Sequence, residues 1–203
     1  MKIGIVDYGM GNLRSVAYKL SKVGFAAVLT SNREEIESSE KVIIPGVGHF
    51  GKGMKNLKSL GLIEPLRKFA LEHKKPILGI CLGMQMLTDF SEEGQTDGLG
   101  FIKAKTKKFN FPDKMLKVPH MGWNSITFKN NHPILNGISE NEMFYFVHSY
   151  YVECDFNSNE IAQTNYGLEF SSIIADENII GVQFHPEKSH EWGELLIRNF
   201  CEM

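Results

Sequence analysis

Lys75–Leu87, KPILGICLGMQML, is the stretch whose reading decides the fold. Pro76 opens a compact apolar run (Ile77, Leu78, Ile80) of the length of a buried strand, and Leu82–Phe90 (LGMQMLTDF) has helical composition. The stretch therefore reads as strand, sharp turn and helix, with Cys81 at the turn between Gly79 and Gly83. A Gly-x-nucleophile-x-Gly turn has a mechanical basis. The nucleophile occupies a strained strand-to-helix bend, and the residues two away on either side must be small for the chain to pass. The bend lifts the sulfur out of the sheet and sets it by the first free N–H groups of a helix, where the dipole favours an anion. A lone cysteine is equally at home as a small buried hydrophobe. The two glycines favour the nucleophile without saying what it attacks.

Outward from this stretch, strand and helix alternate. Lys2–Val6 (KIGIV) reads as a parallel-type strand, Asp7–Asn12 (DYGMGN) as a Gly-rich loop over the strand ends, and Leu13–Val23 as a helix closed by Gly24. Phe25–Leu29 is a second strand. Thr30–Glu40 holds a short helix capped near Ser31, and Lys41–Ile44 (KVII) is a third strand running into Pro45–Phe50, PGVGHF. Gly51–His73 is mostly helical, interrupted at Gly61 and Pro65. Gly9-x-Gly11 lacks the third glycine of a dinucleotide fingerprint, since Arg14 stands there. After Ser91 the pattern changes. Gly94–Gly100 is loop, and Phe101–Phe128 alternates apolar and polar like antiparallel strands, with a kink expected at Gly122-Trp123-Asn124. Asn130–Gly137 is a turn-rich link. Glu142–Glu153 (EMFYFVHSYYVE) is aromatic and strand-like; Ile161–Tyr166, Phe170–Asp176 and Ile179–Phe184 are further strands, and Glu191–Cys201 is a closing helix. This order predicts an α/β fold with right-handed crossovers and a mostly parallel central sheet plus antiparallel additions. No repeat or linker divides the chain, so one domain over residues 1–203 is expected.

Composition narrows the function. A length of 203 residues, 42% hydrophobic and 23% charged, suits a globular domain with a proper core. The formal net charge of −2 gives no reason to expect nucleic acid as a ligand. The longest apolar runs fall short of a membrane span, and the N-terminus lacks the regions of a signal peptide. Cys81, Cys154 and Cys201 are odd in number and contain no C-x-x-C, against a disulfide framework or a zinc site. A reducing cytoplasm is the expected compartment.

A cysteine nucleophile needs a base. His185 stands in GVQFHPEKS, directly after the apolar strand residues Val182 and Phe184. His185 and Glu187 are two apart in chain held extended by Pro186, so both side chains can project to one side. An imidazole beside a carboxylate fixes the tautomer and stabilises the imidazolium. Alone, H-P-E is a surface pair; beside a G-x-C-x-G elbow it completes a Cys81–His185–Glu187 triad. Acyl transfer also needs donors aimed at the oxyanion. Leu82 N–H, just after the nucleophile, is one candidate, and the Gly46-Val47-Gly48 peptide is the other, since its glycines let an N–H turn inward or withdraw.

Together GICLGMQML, PGVGHF and GVQFHPEKS resemble the class I (triad) glutamine amidotransferases over nearly the whole chain. More narrowly DYGMGN, GLGFI (98–102), VPHMGWN (118–124) and YFVHSYY (145–151) resemble the branch formed by glutaminase subunits of imidazole glycerol phosphate synthases. His49 and Ser149 depart slightly from that pattern. The resemblance implies a flavodoxin-like three-layer fold and a reaction without cofactor or metal. In it Cys81 attacks the side-chain amide of L-glutamine, His185 moves the proton, ammonia leaves, and water hydrolyses the thioester. It also implies a grip on glutamine by main chain near Gly48, by Gln85 and by Ser149–Tyr150. The implied partner is a (β/α)8-barrel cyclase that receives the ammonia and makes imidazole glycerol phosphate and aminoimidazole carboxamide ribotide. Asn12, Trp123, Tyr145 and Lys188 match the docking face. Trp123 serves equally well as core, and Lys188 as a solvated charge.

Overall fold

A computed structural model describes residues 1–112 and 116–203. The first half of the chain forms β1 (Ile3–Val6), α1 (Leu13–Lys22), β2 (Ala27–Thr30), α2 (Arg33–Ser38), β3 (Lys41–Gly46), α3 (Phe50–Ser59), α4 (Ile63–Arg67), β4 (Ile77–Cys81) and α5 (Leu82–Met86). The second half forms β5 (Phe90–Ser91), β6 (Thr96–Asp97), β7 (Ala104–Lys108), β8 (His120–Ser125), β9 (Thr127–Phe128), β10 (Met143–His148), β11 (Tyr150–Cys154), β12 (Glu160–Asn165), β13 (Glu169–Asp176), β14 (Ile179–Val182) and α6 (His190–Glu202).

The main sheet begins β2-β1-β3-β4-β14, and these neighbours pair in parallel. This is a doubly wound order, with the strand sequence reversing direction between β1 and β3. From β14 the sheet continues antiparallel through β13 and β11 to β7. The α/β fold with a mostly parallel sheet and antiparallel additions is thus the one that the strand–helix alternation predicts. β8 and β10 form a separate two-stranded antiparallel sheet.

The unbroken apolar runs of β1, β4 and β14 are explained by burial on both faces. Period two sorts their side chains. Ile3, Ile5, Ile43, Leu78 and Ile80 face a core completed by Leu20 of α1 and by Leu196, Ile197 and Phe200 of α6. Val6, Val42, Ile44 and Ile77 face the opposite core, completed by Leu57 of α3, Leu66 and Phe69 of and after α4, and Met84 and Met86 of α5. The result is helix, sheet and helix in three layers.

Several local expectations are corrected. The cap of α2 is Asn32, whose side chain accepts from Glu34 and Glu35 N–H, not Ser31. Gly61 breaks the helical run with φ +67°, but Pro65 lies within α4, in the first turn where a missing N–H costs nothing. The helix after the elbow ends at Met86 rather than Phe90. Thr88 turns back to bond Gln85 O through its hydroxyl, and Phe90–Ser91 joins the sheet. Gly122-Trp123-Asn124 is not a kink but lies inside β8, paired in register with Tyr145 and Phe146. Glu142–Glu153 divides at Ser149 into β10 and β11, which belong to different sheets. The part of the alternating run at 113–115 lies outside the described residues.

The elbow is held by close packing. A Cβ on Gly79 would stand 2.7 Å from the carbonyl of Gly83, and a Cβ on Gly83 would collide with the carbonyl oxygen of Ile44. Both obstacles are backbone, so neither can swing away. Gly83→Ala is expected to destabilise the chain by about 1–3 kcal/mol, the usual range for overpacking. Chemical denaturation checks this; an unchanged midpoint would contradict the packing argument.

Candidate active site

Cys81 ends β4 with φ 53° and ψ −108°, a backbone conformation that L-residues rarely adopt. Gly46 lies opposite it in the β3–β4 register. The sulfur opens into a cavity of about 270 Å³ whose wall includes Val47, Gly48, Leu82, Gln85, Ser149 and Tyr150. Of the residues expected to bind glutamine or its oxyanion, only Gly46 is not in the wall. Larger hollows of about 450 Å³ exist elsewhere, one bordered by Lys129, Asn130 and Glu160, but no cysteine lines them.

His185 follows β14 at the same carboxyl edge of the sheet. Its Nδ1 lies 2.9 Å from Glu187 Oε1, and both side chains are nearly sealed from solvent. The Pro186–Lys188 turn brings the carboxylate back under the ring. The backbone is clamped as well. His185 N–H donates to Tyr145 O at 2.9 Å, and the Ser189 hydroxyl donates to His185 O at 2.7 Å while accepting from Tyr145 N–H at 3.0 Å. Nε2 is buried without a well-formed hydrogen bond among the described residues. Burial opposes a charge on this ring, but the nearby Cys81 sulfur and the Glu187 carboxylate outweigh it. They raise the pKa to about 10. The arrangement favours a protonated imidazole, oriented from behind by a carboxylate.

Gly48 sits at φ +111°, and a Cβ there would stand 2.8 Å from Met10 Cε. The hydroxyl of Tyr8 holds the start of this loop by donating to Pro45 O at 2.8 Å. Burial, and then the charge of Cys81, push the Tyr8 phenol well above its ordinary pKa, so it stays neutral. Gln85 Nε2 donates to Tyr150 O at 3.0 Å and to Gln183 Oε1 at 3.1 Å, and Gln183 Nε2 in turn lies 3.7 Å from Cys81 Sγ.

Sequence reading missed part of the wall: Glu93, Pro119, Val147 and His148 also line the cavity. Glu93 Oε2 accepts from Phe50 N–H at 2.6 Å, which fixes a carboxylate at the pocket. In SEEG it reads as a solvated loop acid, and nothing in its spacing marks it. Beneath the pocket His148 and His120 form a buried pair, with His120 Nδ1 to His148 Nε2 at 3.0 Å. A backbone carbonyl can only accept, so the 2.7 Å contact between His148 Nδ1 and Tyr150 O puts the proton on Nδ1. His148 Nε2 is then the acceptor and His120 Nδ1 the donor.

β8 and β10 present two rows of side chains. Phe144, Phe146, His120 and His148 point inward. On the other face Trp123 is 43% and Met121 63% exposed, so Trp123 is not core. Trp123 packs edge-on against Tyr145 at 5.9 Å and stacks on His190 at 4.9 Å, while Lys188 Nζ stands 5.4 Å from the centre of the Tyr145 ring. Three of the residues matched to a docking face therefore form one cluster. Asn12 is exposed at the start of α1, where its side chain makes no cap bond. Among the described residues no cluster of His, Cys, Asp or Glu could hold a metal, and no helix is long and apolar enough to cross a membrane.

A doubly wound sheet with a thiol elbow, an imidazole–carboxylate pair and a cavity at the carboxyl ends of the strands marks an α/β protein of the class whose ligands sit at the strand ends. The chain belongs to the class-I glutamine amidotransferase family, whose model matches residues 4–203. It is similar to a Methanococcus maripaludis protein named imidazole glycerol phosphate synthase subunit HisH 2, with 52% identity over 98% of each chain. A Pseudomonas aeruginosa protein of the same printed name is 46% identical over 99% of each. One from Sulfurimonas denitrificans, named imidazole glycerol phosphate synthase subunit HisH, is 47% identical over 98% of this chain and 97% of that one. In fold it is similar to a crystal structure of a glutamine amidotransferase, with TM-score 0.78 at 18% identity over 98% of this chain and 97% of that one. It is likewise similar to a structure of PurLQS from Thermotoga maritima, with TM-score 0.76 at 18% identity over 99% and 97%.

The imidazoles give stability two opposite pH dependences. Burial lowers the pKa of His120 to about 4 and of His148 to about 3. The unfolded chain therefore binds more protons below about pH 6.5, and each group drains stability as pH falls, at up to ~1.4 kcal/mol per pH unit. His185, raised to about 10, contributes stability that is fully present below its unfolded value and is lost as pH rises toward 10. Unfolding free energy measured across pH should fall on both sides of neutrality. A His120→Gln/His148→Gln variant should flatten the acid limb alone; an unaltered acid limb would contradict the buried-pair reading.

Proposed function

We propose that this chain is the glutaminase subunit of an imidazole glycerol phosphate synthase. It hydrolyses L-glutamine to glutamate through a Cys81 thioester and delivers the ammonia to a (β/α)8-barrel cyclase subunit. The observation that carries the reading is the shared origin of pocket and patch. Val147, in the pocket wall, and Tyr145 and Trp123, in the exposed patch, lie on one face of the β8–β10 sheet. Ammonia made at Cys81 leaves a site that adjoins a surface fit to be covered.

In this mechanism the anionic sulfur attacks the amide carbon, and the oxyanion is met by Leu82 N–H and by an N–H of the Gly46–Gly48 loop. His185 gives its proton to the departing nitrogen, so ammonia leaves neutral. Water then attacks the thioester, His185 takes its proton, the sulfur leaves as the anion, and the new carboxyl group gives its proton to solvent as glutamate is released. Glu187 holds the ring by its Nδ1 face throughout. Gln85 and the Ser149–Tyr150 main chain grip the substrate, and Glu93 supplies a counter-charge for its α-ammonium. A thiol nucleophile is suited to a reducing compartment such as the cytoplasm.

A second reading keeps the chemistry and changes the partner: a paralogue that feeds ammonia to another synthase. Its motivation is that two of the similar proteins carry "2" in their printed names.

Cys81→Ala should lower glutamate release roughly 10⁴-fold or more, as loss of a nucleophile does. Wild-type activity should be small alone and much larger with the cyclase and its ligand. Full activity without the partner, or none with it, would count against the assignment. Rescue of a histidine auxotroph lacking this subunit separates the two readings, and failure to rescue would favour the paralogue.

A further inference from the structure

Gln183 is fully buried in the segment that leads from β14 to His185, and the acyl-transfer scheme gives it no task. Its amide orientation is set by a chain of contacts that starts at a backbone carbonyl. Tyr150 O can only accept, so the Gln85 atom 3.0 Å away is the amide nitrogen. That NH2 group has a second hydrogen, and its other partner, at 3.1 Å, is therefore Gln183 Oε1. With its oxygen committed, Gln183 must turn its NH2 toward Cys81 Sγ, 3.7 Å away. An N–H aimed at sulfur interacts far better with a thiolate than with a thiol.

We infer that Gln183 is a positioning residue that holds the Cys81 sulfur as an anion and couples it to Gln85, so that the group gripping glutamine also aims the donor at the nucleophile. The inference rests on the Cys81 triad reading and deepens it. The sulfur's other polar contact is with Val147 O, at 3.9 Å. The ionisable groups around the sulfur are His185, backed by Glu187, from the segment after β14, and Tyr8 from the loop after β1, with Glu93, His148 and Tyr150 in the wall of the same cavity. None of these bonds Gln183. Because both hydrogens of Gln85 Nε2 are used, Gln85 offers its remaining carbonyl oxygen as an acceptor. The relay thus fixes two things at once, a donor toward sulfur and an acceptor toward the substrate.

The test is the rate of alkylation of Cys81 by iodoacetamide against pH in the full chain, read by mass spectrometry at the Cys81 peptide. It uses no glutamine, so it is independent of the glutaminase assignment, which fails separately if Cys81→Ala still hydrolyses glutamine. Gln183→Met removes the donor at similar size, and Gln183→Glu places a carboxylate where the donor stood. The midpoint should move upward in the order wild type, Met, Glu, with the Met variant alkylated about tenfold more slowly at neutral pH. Gln85→Met, which makes no hydrogen bond to the sulfur, should produce a smaller upward shift that does not add to that of Gln183→Met. In glutamine turnover Gln183→Met should lower kcat and raise KM together. A wild-type alkylation profile in any one of the folded Gln183 variants would overturn the proposal. So would a Gln85→Met effect that simply adds to that of Gln183→Met.

Discussion

The structure depends on one backbone constraint: Cys81 is held at a positive φ at the point where β4 becomes α5. Such a conformation costs on the order of 1–3 kcal/mol and persists only where the surroundings over-determine it. Here they do. β4 is buried on both faces between β3 and β14, and its register with them leaves no slack. Gly83 lies against the Ile44 carbonyl and Gly79 against Gly83, so the chain on both sides of the thiol is locked by main-chain contacts. The rigidity of the parallel core is what allows one strained residue to present its sulfur in a fixed direction.

Everything else in the site is brought to that sulfur from neighbouring strand ends. β3 supplies the glycine loop, β1 supplies Tyr8 that ties the loop down, and β14 leads into Gln183, His185 and Glu187. The second sheet closes the assembly. β10 lends its Tyr145 carbonyl and N–H to the His185 segment, and Val147 to the pocket. Electrostatics then divides the imidazoles by environment. His185 lies between the Cys81 sulfur and the Glu187 carboxylate and holds its proton. His120 and His148 meet each other, the Tyr150 carbonyl, the Asn124 amide and aromatic rings, and burial keeps them neutral.

Much of this was legible in the residues. The continuous apolar runs KIGIV, KVII and PILGI belong to strands covered on both faces, and the period of their side chains leaves little choice. The spacing of Gly79, Cys81 and Gly83, and of His185 and Glu187, carries its own mechanical meaning. What was not legible depends on pairing across distance. EMFYFVHSYYVE shows the right alternation but not that Ser149 parts two sheets, because both halves have the same local pattern. The expected GWN kink is absent because Gly122 takes up φ +135°, which glycine tolerates, while its pairing with Phe146 stays in register. Glu93 and Gln183 look like ordinary polar residues until the fold sets one against the Phe50 N–H and the other beneath the sulfur.

The central claim is that the Cys81 sulfur takes the acyl group of glutamine. Its most direct test is acid quenching of the active enzyme during turnover, followed by mass spectrometry of the cysteine-containing peptides. The account predicts a γ-glutamyl adduct on the Cys81 peptide and on neither the Cys154 nor the Cys201 peptide. An adduct on either of those, or glutamate production at full rate by a chain whose Cys81 peptide is never modified, would contradict it.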